Sequence, residues 1–399
     1  MSAVSSVRRY YDDGYTRAFV GRVTAVGEHA GRPAVELEES WFFPESGGQT
    51  ADHGRMGEAQ VVDVQAEEEG RLWHVVDRLP SGSDLACEID WPRRFRNMQQ
   101  HTGQHVLSAA LERVLEVPTL SSTLGEERCV IEVGLDSVDW RMIERIELAV
   151  HEVLWEDREI RLHWTDEQGI SRFPLRKAPK VSGRIRVVEI PDWDFAACGG
   201  THTRRTAEVG VVKVIGWEKV RGNVRLAFQC GARAIADHAW RTEALLEAAK
   251  RRSCSDRELI SHLERGLEER DELRKRLAEL STRLIAEEAQ AALRASPDGV
   301  SVWWPERSRE EVRTFVVQAL EAGAPWVACA TASPTPALIV GKPKGSAIDL
   351  KAMLPELLAT SRGKGGGGPD QLNIAPQDAA GAEAAYAWVC AQLTSSGEA

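Results

Sequence analysis

Residues 17–92 alternate between apolar and polar positions with the two-residue period of β-strands. Four such runs, AFVGRVTAV, RPAVELEES, AQVVDVQA and RLWHVVDRL, are separated by turns rich in glycine, proline and charge. Short strands in this arrangement predict a small barrel or a strongly bent sheet. Between them lies WFFPESGGQTADHG, whose proline and paired glycines exclude a regular element at that point.

The period then changes to that of an α-helix. The segment NMQQHTGQHVLSAALERVLEVP gathers its apolar side chains on one broad face, over residues 106–115. Asn97 is predicted to cap this helix and Pro118 to end it. His101 and His105 fall outside the apolar face, on a narrow stripe of the helix surface. Burial in the apolar core is therefore not the expectation for these two histidines.

Further along, a second helix is predicted around residues 138–156, and two strands are predicted to join at Arg221-Gly222. Residues 234–294 are helical and strongly charged, with a capping box at Ser255–Glu258 that starts a new helix. Its leucines form a stripe without strict heptad spacing, at positions 263, 267, 273, 277, 280 and 284. This spacing favours a helical arm that packs on a partner over a long coiled coil.

The last hundred residues mix apolar β-like runs with helical ones and predict a separate α/β domain. The fold class predicted for the whole chain is α+β. We expect a small β-barrel with a glycine-rich motif over residues 1–92 and an α/β domain over 93–233. A helical arm over 234–296 and the C-terminal domain over 297–399 complete the prediction.

Composition narrows the class of protein. Of the 399 residues, 43% are apolar and 28% are charged, as in a soluble globular protein. The seven cysteines are scattered singly, which argues against a disulfide-linked secreted domain. The first residues lack the apolar run of a signal peptide, and no stretch is suited to crossing a bilayer, so a cytoplasmic location without a membrane partner is expected.

Charge is unevenly distributed along the chain. The formal net charge is −11, yet residues 171–235 hold 13 Lys/Arg against five Asp/Glu, a local net charge of +8. Such a segment can bind a polyanion through salt-sensitive phosphate contacts even in an acidic protein.

Two pairs of residues carry candidate metal chemistry. His101 and His105 lie four apart on the predicted helix, so both imidazoles project from one side of it. In CGGTH, Gly199-Gly200 would let Cys198 and His202 turn toward one ion. A cysteine with three histidines suits zinc. A set of four bound ligands would make a closed structural site, whereas one displaceable ligand would leave a position for water or substrate.

Other interpretations of these residues remain open. The histidine pair can be a solvated stripe, and CGGTH can be a redox loop or a plain glycine turn; redox is weakest because no second cysteine is nearby. A zinc peptidase is disfavoured because Thr102 follows His101 where HExxH requires glutamate.

Three motifs in order resemble those of one family. HTGQHVLSAAL, CGGTH about a hundred residues later, and the upstream FFPESGGQTADHG are similar to the editing domain of alanyl-tRNA synthetases and to free-standing AlaX-type alanyl-tRNA editing proteins. The C-terminal third, with GKGGGGPDQ, resembles the DHH-associated domain that ends the long form of these editing proteins. No class II aminoacylation domain is recognised. The resemblance implies a zinc-dependent hydrolase of mischarged tRNA(Ala), chiefly Ser-tRNA(Ala), with Gly-tRNA(Ala) as the second candidate substrate.

The resemblance also implies roles for single residues. By motif position, His101, His105, Cys198 and His202 become ligands of one Zn²⁺ per chain. Gln49, with Gly47 and Gly48, falls where the family lines the aminoacyl pocket, and Ser40 falls where many members use threonine to recognise the serine hydroxyl; Gln49 and Ser40 are the candidate catalytic-site residues. Phe43 replaces a typical tyrosine. Contacts with tRNA phosphates are expected from Arg204, Arg205, Lys219, Arg221 and Arg225.

The same resemblance implies a homodimer formed through the helical arm and the C-terminal domain. A second hypothesis, from a different class, is a non-catalytic RNA-binding dimer with a structural zinc. The intact FFPESGGQ motif favours the enzyme, because a purely structural zinc does not need a glycine-lined pocket beside it.

Overall fold

The computed structural model describes residues 6–67, 70–179 and 182–395. The chain divides into two compact units, Met1–Glu247 and Ala248–Ala399. Both contain helices and strands, so the predicted α+β class is confirmed. Among the helices in the described ranges, none is long and apolar enough to cross a membrane.

The N-terminal strands close into a barrel, which confirms the first prediction. Short β1 and β4 pair in parallel beside it, and six antiparallel strands form it in the order β2-β3-β7-β6-β5-β8. The strands are β1 (Val7–Arg8), β2 (Ala18–His29), β3 (Arg32–Leu37), β4 (Glu39–Ser40), β5 (Gly54–Met56), β6 (Ala59–Ala66), β7 (Leu72–Val76) and β8 (Asp84–Ile89). Alternation along these strands fills the interior with side chains such as Val35, Leu37, Met56 and Leu72.

Helix α1 (Trp91–Leu115) starts six residues before the predicted cap. Asp90 caps it, since its carboxylate accepts a hydrogen bond from the Arg93 amide at 3.1 Å, and Pro92 lies in the first turn. The prediction of Asn97 as the cap was wrong because Asp-Trp-Pro is a stronger helix start than Asn-Met-Gln. Asn97 lies inside the helix, where its amide donates to Thr50 Oγ1 at 3.2 Å.

The rest of the first unit consists of two sheets, two further helices and the middle of α1. The elements are β9 (Thr119–Leu124), β10 (Cys129–Val133), α2 (Trp140–Trp155), β11 (Arg161–Thr165), β12 (Ile185–Ile190), β13 (Asp194–Ala197), β14 (Val212–Val220), β15 (Asn223–Cys230) and the start of α3 (Gly231–Arg251). One sheet has the order β14-β15-β10-β9 and the other β11-β12-β13. As predicted, β14 and β15 join at Arg221-Gly222, both with positive φ, as a two-residue hairpin turn requires.

The middle of α1 is buried on nearly all sides. Its apolar face packs with α2 and β10 in one core, through residues such as Leu107 and Leu111. His101 and His105, each 4% exposed, are buried on the other side, which excludes the solvated stripe that the sequence left open as an alternative. A helix that packs on two sides does not need an apolar pattern on both if the second side is polar and hydrogen-bonded.

The second unit contains a five-stranded sheet between helices, in the order β16-β17-β18-β20-β19. Its elements are α4 (Leu259–Ala295), β16 (Val300–Glu306), α5 (Arg309–Glu321), β17 (Val327–Ser333), β18 (Ala337–Gly341), α6 (Leu350–Ser361), β19 (Lys364–Gly367), β20 (Gln371–Ala375) and α7 (Ala379–Ser395). The Ser255–Glu258 capping box is present as predicted. Part of GKGGGGPDQ, whose role the sequence left open, forms the edge strand β19 and pairs with β20.

Candidate metal centre

The four residues proposed as metal ligands come together in the structure. One ligand atom from each of His101, His105, Cys198 and His202 lies within 4.8 Å of the others. The imidazole centroids of His101 and His202 are 4.5 Å apart, and those of His105 and His202 are 4.8 Å apart. Residues separated by about a hundred positions in the sequence therefore form one compact cluster.

The loop that carries Cys198 and His202 is held by a buried arginine. Arg186, on β12, donates through Nη1 to the carbonyl oxygens of Cys198 at 3.0 Å and Gly200 at 2.7 Å. Gly200 lies against His101: a Cβ built on it would be 2.0 Å from Cε1 of that ring. The second glycine of CGGTH is therefore required by close packing against a ligand, in addition to any turn.

Each histidine of the cluster is oriented by a hydrogen bond at Nδ1. His101 Nδ1 lies 2.8 Å from Gln49 Oε1, His105 Nδ1 lies 3.2 Å from Asp194 Oδ2, and that of His202 lies 3.2 Å from Thr102 Oγ1. Gln49 Oε1 and the Asp194 carboxylate accept from Nδ1 of His101 and His105, so Nε2 is the nitrogen of each of these rings that can bind a metal, and the Thr102 hydroxyl can accept from His202 Nδ1 in the same way. Such outer hydrogen bonds fix the tautomer of metal-binding histidines.

The oriented nitrogens face the cysteine. Nε2 of His101 is 3.2 Å and Nε2 of His202 is 3.4 Å from Cys198 Sγ. Two ligands bound to one zinc ion at the usual distances in tetrahedral geometry are about 3.5 Å apart. The donor chemistry of the four residues and the two sulfur–nitrogen separations fit a zinc ion at this site.

Electrostatics in the cluster favour a thiolate. Burial raises the pKa of the Cys198 thiol, but the neighbouring His101 and His202 outweigh it and lower that pKa well below its usual value. Burial lowers the pKa of His105, whereas hydrogen bonds with Asp194 and Cys198 raise it more strongly, to about 9, so binding of a metal by His105 would release a proton. Thiolate is the form of cysteine that binds metals.

The glycine-rich motif reaches this cluster through Gln49. Its Nε2 donates to Thr201 Oγ1 at 2.8 Å, and its Oε1 accepts from the Thr201 amide at 3.2 Å. Gly47 and Gly48 both have positive φ, and amide–carbonyl hydrogen bonds between Ser46 and Gln49 close the turn around them. The paired glycines therefore form the tight turn that points Gln49 at His101.

A fully buried ion pair fixes the motif to α1. Arg94 donates to both carboxylate oxygens of Asp52 and to the carbonyl oxygens of Gly14 and Trp41. The Asp52 carboxylate also accepts from the Phe43 amide at 2.6 Å. The helix that carries two candidate ligands and the loop that carries Gln49 are thus joined at one buried point.

Among the described residues, Ser40 forms its side-chain hydrogen bonds with His74 and Phe42 and none with the four residues of the cluster. It is fully buried, and its hydroxyl lies 2.7 Å from Nε2 of His74. His74 Nδ1 is 2.9 Å from the Val35 carbonyl, so Nδ1 donates, Nε2 accepts, and Ser40 donates to it. The Phe42 amide donates to Ser40 Oγ at 3.1 Å.

The four arginines proposed to contact tRNA have different surroundings. Arg205 pairs with Asp157 at 2.6 Å, and Arg225 pairs with Glu132 at 3.4 Å. Arg204 lies over the Tyr15 ring at 4.0 Å and is largely exposed. Arg221 is exposed at the β14–β15 turn. Arg204 is next to the cluster in sequence and lines a cavity of about 100 Å³ together with His202, Thr201 and Arg186.

Three residues outside the predicted ligand and pocket residues support the cluster, and the sequence suggested a structural role in the loop only for Asp194. Asp194 accepts from both His105 and Arg176, Thr102 orients His202, and Arg186 holds the CGG backbone. A signal existed only for Asp194, a carboxylate four positions before Cys198 in a basic segment. The other two act through contacts over long sequence distances.

Comparison with known proteins supports the resemblance of the motifs. Residues 185–226 match the family model of the threonyl and alanyl tRNA synthetase second additional domain, a segment that includes Cys198 and His202. The alanyl-tRNA editing protein AlaX-L of Pyrococcus horikoshii is 35% identical over 240 residues, 57% of this chain and 59% of that protein. The chain is therefore similar to an alanyl-tRNA editing protein over more than half of its length.

Alanine–tRNA ligases are also similar to the chain. The ligase of Methanopyrus kandleri is 35% identical over 72% of the chain and 32% of the ligase. That of Ignicoccus hospitalis is 30% identical over 92% of the chain and 41% of the ligase. The chain therefore spans well under two thirds of the length of these relatives.

Proposed function

We propose that the protein is a zinc-dependent deacylase of mischarged alanine tRNA, chiefly Ser-tRNA(Ala), with Gly-tRNA(Ala) as the second candidate substrate. The observation that carries this proposal is the buried Cys/His₃ cluster in direct contact with Gln49 of the glycine-rich motif. The names of the relatives, an alanyl-tRNA editing protein and alanine–tRNA ligases, support the same substrate class.

The residues of this chain would hold and orient the reacting groups. His101, His105, Cys198 and His202 would bind zinc, which when bound supplies a Lewis acid that polarises a carbonyl. Gln49 fixes the His101 ring and the Thr201 side chain, while Arg186 fixes the loop between Cys198 and Gly200. Water adds to the ester carbonyl, the ester bond breaks, and the products are the free amino acid and a tRNA with a free terminal hydroxyl.

An editing activity has a physical reason. A synthetase pocket sized for alanine admits glycine and cannot strongly reject serine, which adds only a hydroxyl, so a second site must remove the error. We propose Ser40 as a contributor to serine selection. Because its hydroxyl already donates to His74, we expect Ser40 to act through that pair, and Ser40→Thr to keep or sharpen the preference for serine over alanine.

The deciding experiment measures deacylation of Ser-tRNA(Ala), Gly-tRNA(Ala) and Ala-tRNA(Ala), with and without chelator. We expect fast loss of serine, little loss of alanine, and no activity in Cys198→Ala. Cys254→Ala is the matched control, because this partly buried cysteine lies outside the cluster.

A non-catalytic RNA-binding protein is the second candidate, favoured by one feature. Four protein ligands around one ion are typical of a structural zinc site. One zinc per chain with no turnover of any of the three substrates would establish this function and overturn the deacylase.

We further propose a homodimer through the arm. The leucines of its stripe are between 38% and 69% exposed (Leu263, Leu267, Leu273, Leu277, Leu280 and Leu284), an apolar surface that a second copy would cover. Sedimentation equilibrium of Leu277→Glu should show a monomer, and unchanged association would contradict the proposed interface.

A further inference from the structure

A row of side chains runs across the three-stranded sheet away from the metal centre. Trp164 on β11 pairs with Arg186 on β12, and the Cys198 amide donates to the Arg186 carbonyl at 3.0 Å on the other side. Residues opposite one another in antiparallel strands share a face. With strands about 4.8 Å apart, Trp164 lies about 10 Å from Cys198 across the sheet.

Tyr11 connects the two ends of this row. Its ring packs edge-on against Trp164, with centroids 5.7 Å apart, and the Arg186 guanidinium lies 5.8 Å from its centroid. A Cβ built on Gly199 would lie 3.5 Å from the Tyr11 hydroxyl. The tyrosine therefore contacts the outer tryptophan and the loop of the candidate ligand Cys198.

The outer end of the row is open and positively charged. Trp164 is 36% exposed, and its neighbour on the same face of β11, Leu162, is 40% exposed. The guanidinium of Arg184 stacks on the Trp164 ring at 3.9 Å, and Arg184 has no acidic partner within the parts of the chain that the structure describes. The Glu167 carboxylate lies nearby, where it accepts from the Gly183 amide at 3.2 Å, and it forms no ion pair with Arg184 among the described residues.

We propose that Tyr11, Trp164 and Arg184 form a stacking platform for the unpaired nucleotides at the 3′ end of an RNA. The Arg184 guanidinium, which lies over the indole at 3.9 Å, would turn to the adjoining phosphate and leave that face of the indole to a base, as aromatic and guanidinium groups do in single-strand recognition. The proposal rests on the proposed function, because it places the strand that carries the ester beside the cluster.

The small size of the platform favours RNA over a protein partner. A stable protein interface buries about 800 Å² on each side, whereas base stacking requires one open aromatic face. The exposed Arg184, which has no acidic partner among the described residues, also matches a phosphate group.

Binding of uncharged tRNA(Ala) tests the platform independently of deacylation. Affinities are measured for intact tRNA and for tRNA that lacks its unpaired 3′ nucleotides. We expect Trp164→Ala to weaken binding of intact tRNA roughly 5- to 150-fold and to leave binding of the truncated tRNA unchanged. Trp164→Phe should retain most of the affinity. Trp155→Ala, which removes a tryptophan that is 71% exposed on α2, is the matched control and should have no effect.

The platform would be overturned if Trp164→Ala weakened the binding of both RNAs equally or of neither. It would also be overturned if the wild-type protein bound intact and truncated tRNA with equal affinity. Thermal melting of each variant confirms that it is folded. Deacylation without this dependence on the 3′ end leaves the proposed function standing. If binding depends on the 3′ end but no deacylation is observed, the platform is supported and the proposed enzymatic function is excluded.

Discussion

The second glycine of CGGTH permits a direct test of how the cluster is built. In Gly200→Ala the new methyl group would lie 2.0 Å from His101 Cε1, 2.3 Å from its Nδ1 and 3.1 Å from Gln49 Oε1. An ordinary contact needs at least 3.4 Å, so the ring must retreat by about 1.4 Å or the loop must move. Because His101 is 4% exposed and hydrogen-bonded to Gln49, either shift disturbs the ligand set.

The expected size of the effect follows from this displacement. Losing an outer hydrogen bond to a ligand lowers metal affinity roughly 10- to 100-fold, and a misplacement of about 1 Å lowers activity roughly 100-fold. Gly199→Ala is the control, since its methyl group would meet Tyr11 at 3.5 Å, an ordinary contact. Neither glycine has a φ in the left-handed region, so backbone strain does not separate the two variants.

The assay is competition for zinc against a chromophoric chelator, with deacylation of Ser-tRNA(Ala) measured on the same preparations. We expect Gly199→Ala to match wild type and Gly200→Ala to lose both affinity and rate while its thermal melting remains cooperative. If Gly200→Ala holds zinc as tightly as Gly199→Ala, the packing of His101 against this loop is not a determinant of the site, and the reasoning fails.

Three further predictions concern the surroundings of the cluster. Asp194→Asn removes the carboxylate that orients His105, so zinc affinity in the same competition assay should fall roughly 10- to 100-fold; unchanged affinity would show that this carboxylate does not position His105. Removal of zinc with chelator should abolish deacylation and added zinc should restore it, and activity that persists without metal would contradict the proposal. Burial lowers the pKa of His74 from 6.5 to about 4. Between these pH values the unfolded chain binds a proton at His74 and the folded chain does not. The free energy of unfolding therefore falls as the pH drops from 6.5 toward 4, by about 3 kcal/mol for this group. Urea unfolding at pH 6.5 and 4.5 should show a smaller pH effect in His74→Gln, and an equal effect would refute the role of His74.

The sequence predicted most of the elements because their signals are local. Two-residue alternation identified the barrel strands, and the Ser255–Glu258 capping box and the Arg221-Gly222 turn lie within four residues of sequence. The start of α1 was misplaced because two acceptable caps, Asp90 and Asn97, lie seven residues apart and the prediction followed the apolar period instead of the stronger start at Asp-Trp-Pro.

The sequence by itself determined which residue types are candidate metal ligands. The histidine pair four residues apart and the CxxxH motif together supply nitrogen and sulfur donors, which suit zinc. Only the tertiary structure decided that His101 and Cys198 lie 3.2 Å apart, and that Gln49, Asp194 and Thr102 each orient one imidazole. The physical reason is sequence distance. Asp194 lies 89 positions from His105, and Thr102 lies 100 positions from His202. A local hydrophobic period cannot predict contacts between residues so far apart. His101 and His105 are buried for the same reason. Polar residues from distant parts of the sequence cover the side of α1 that carries no apolar pattern.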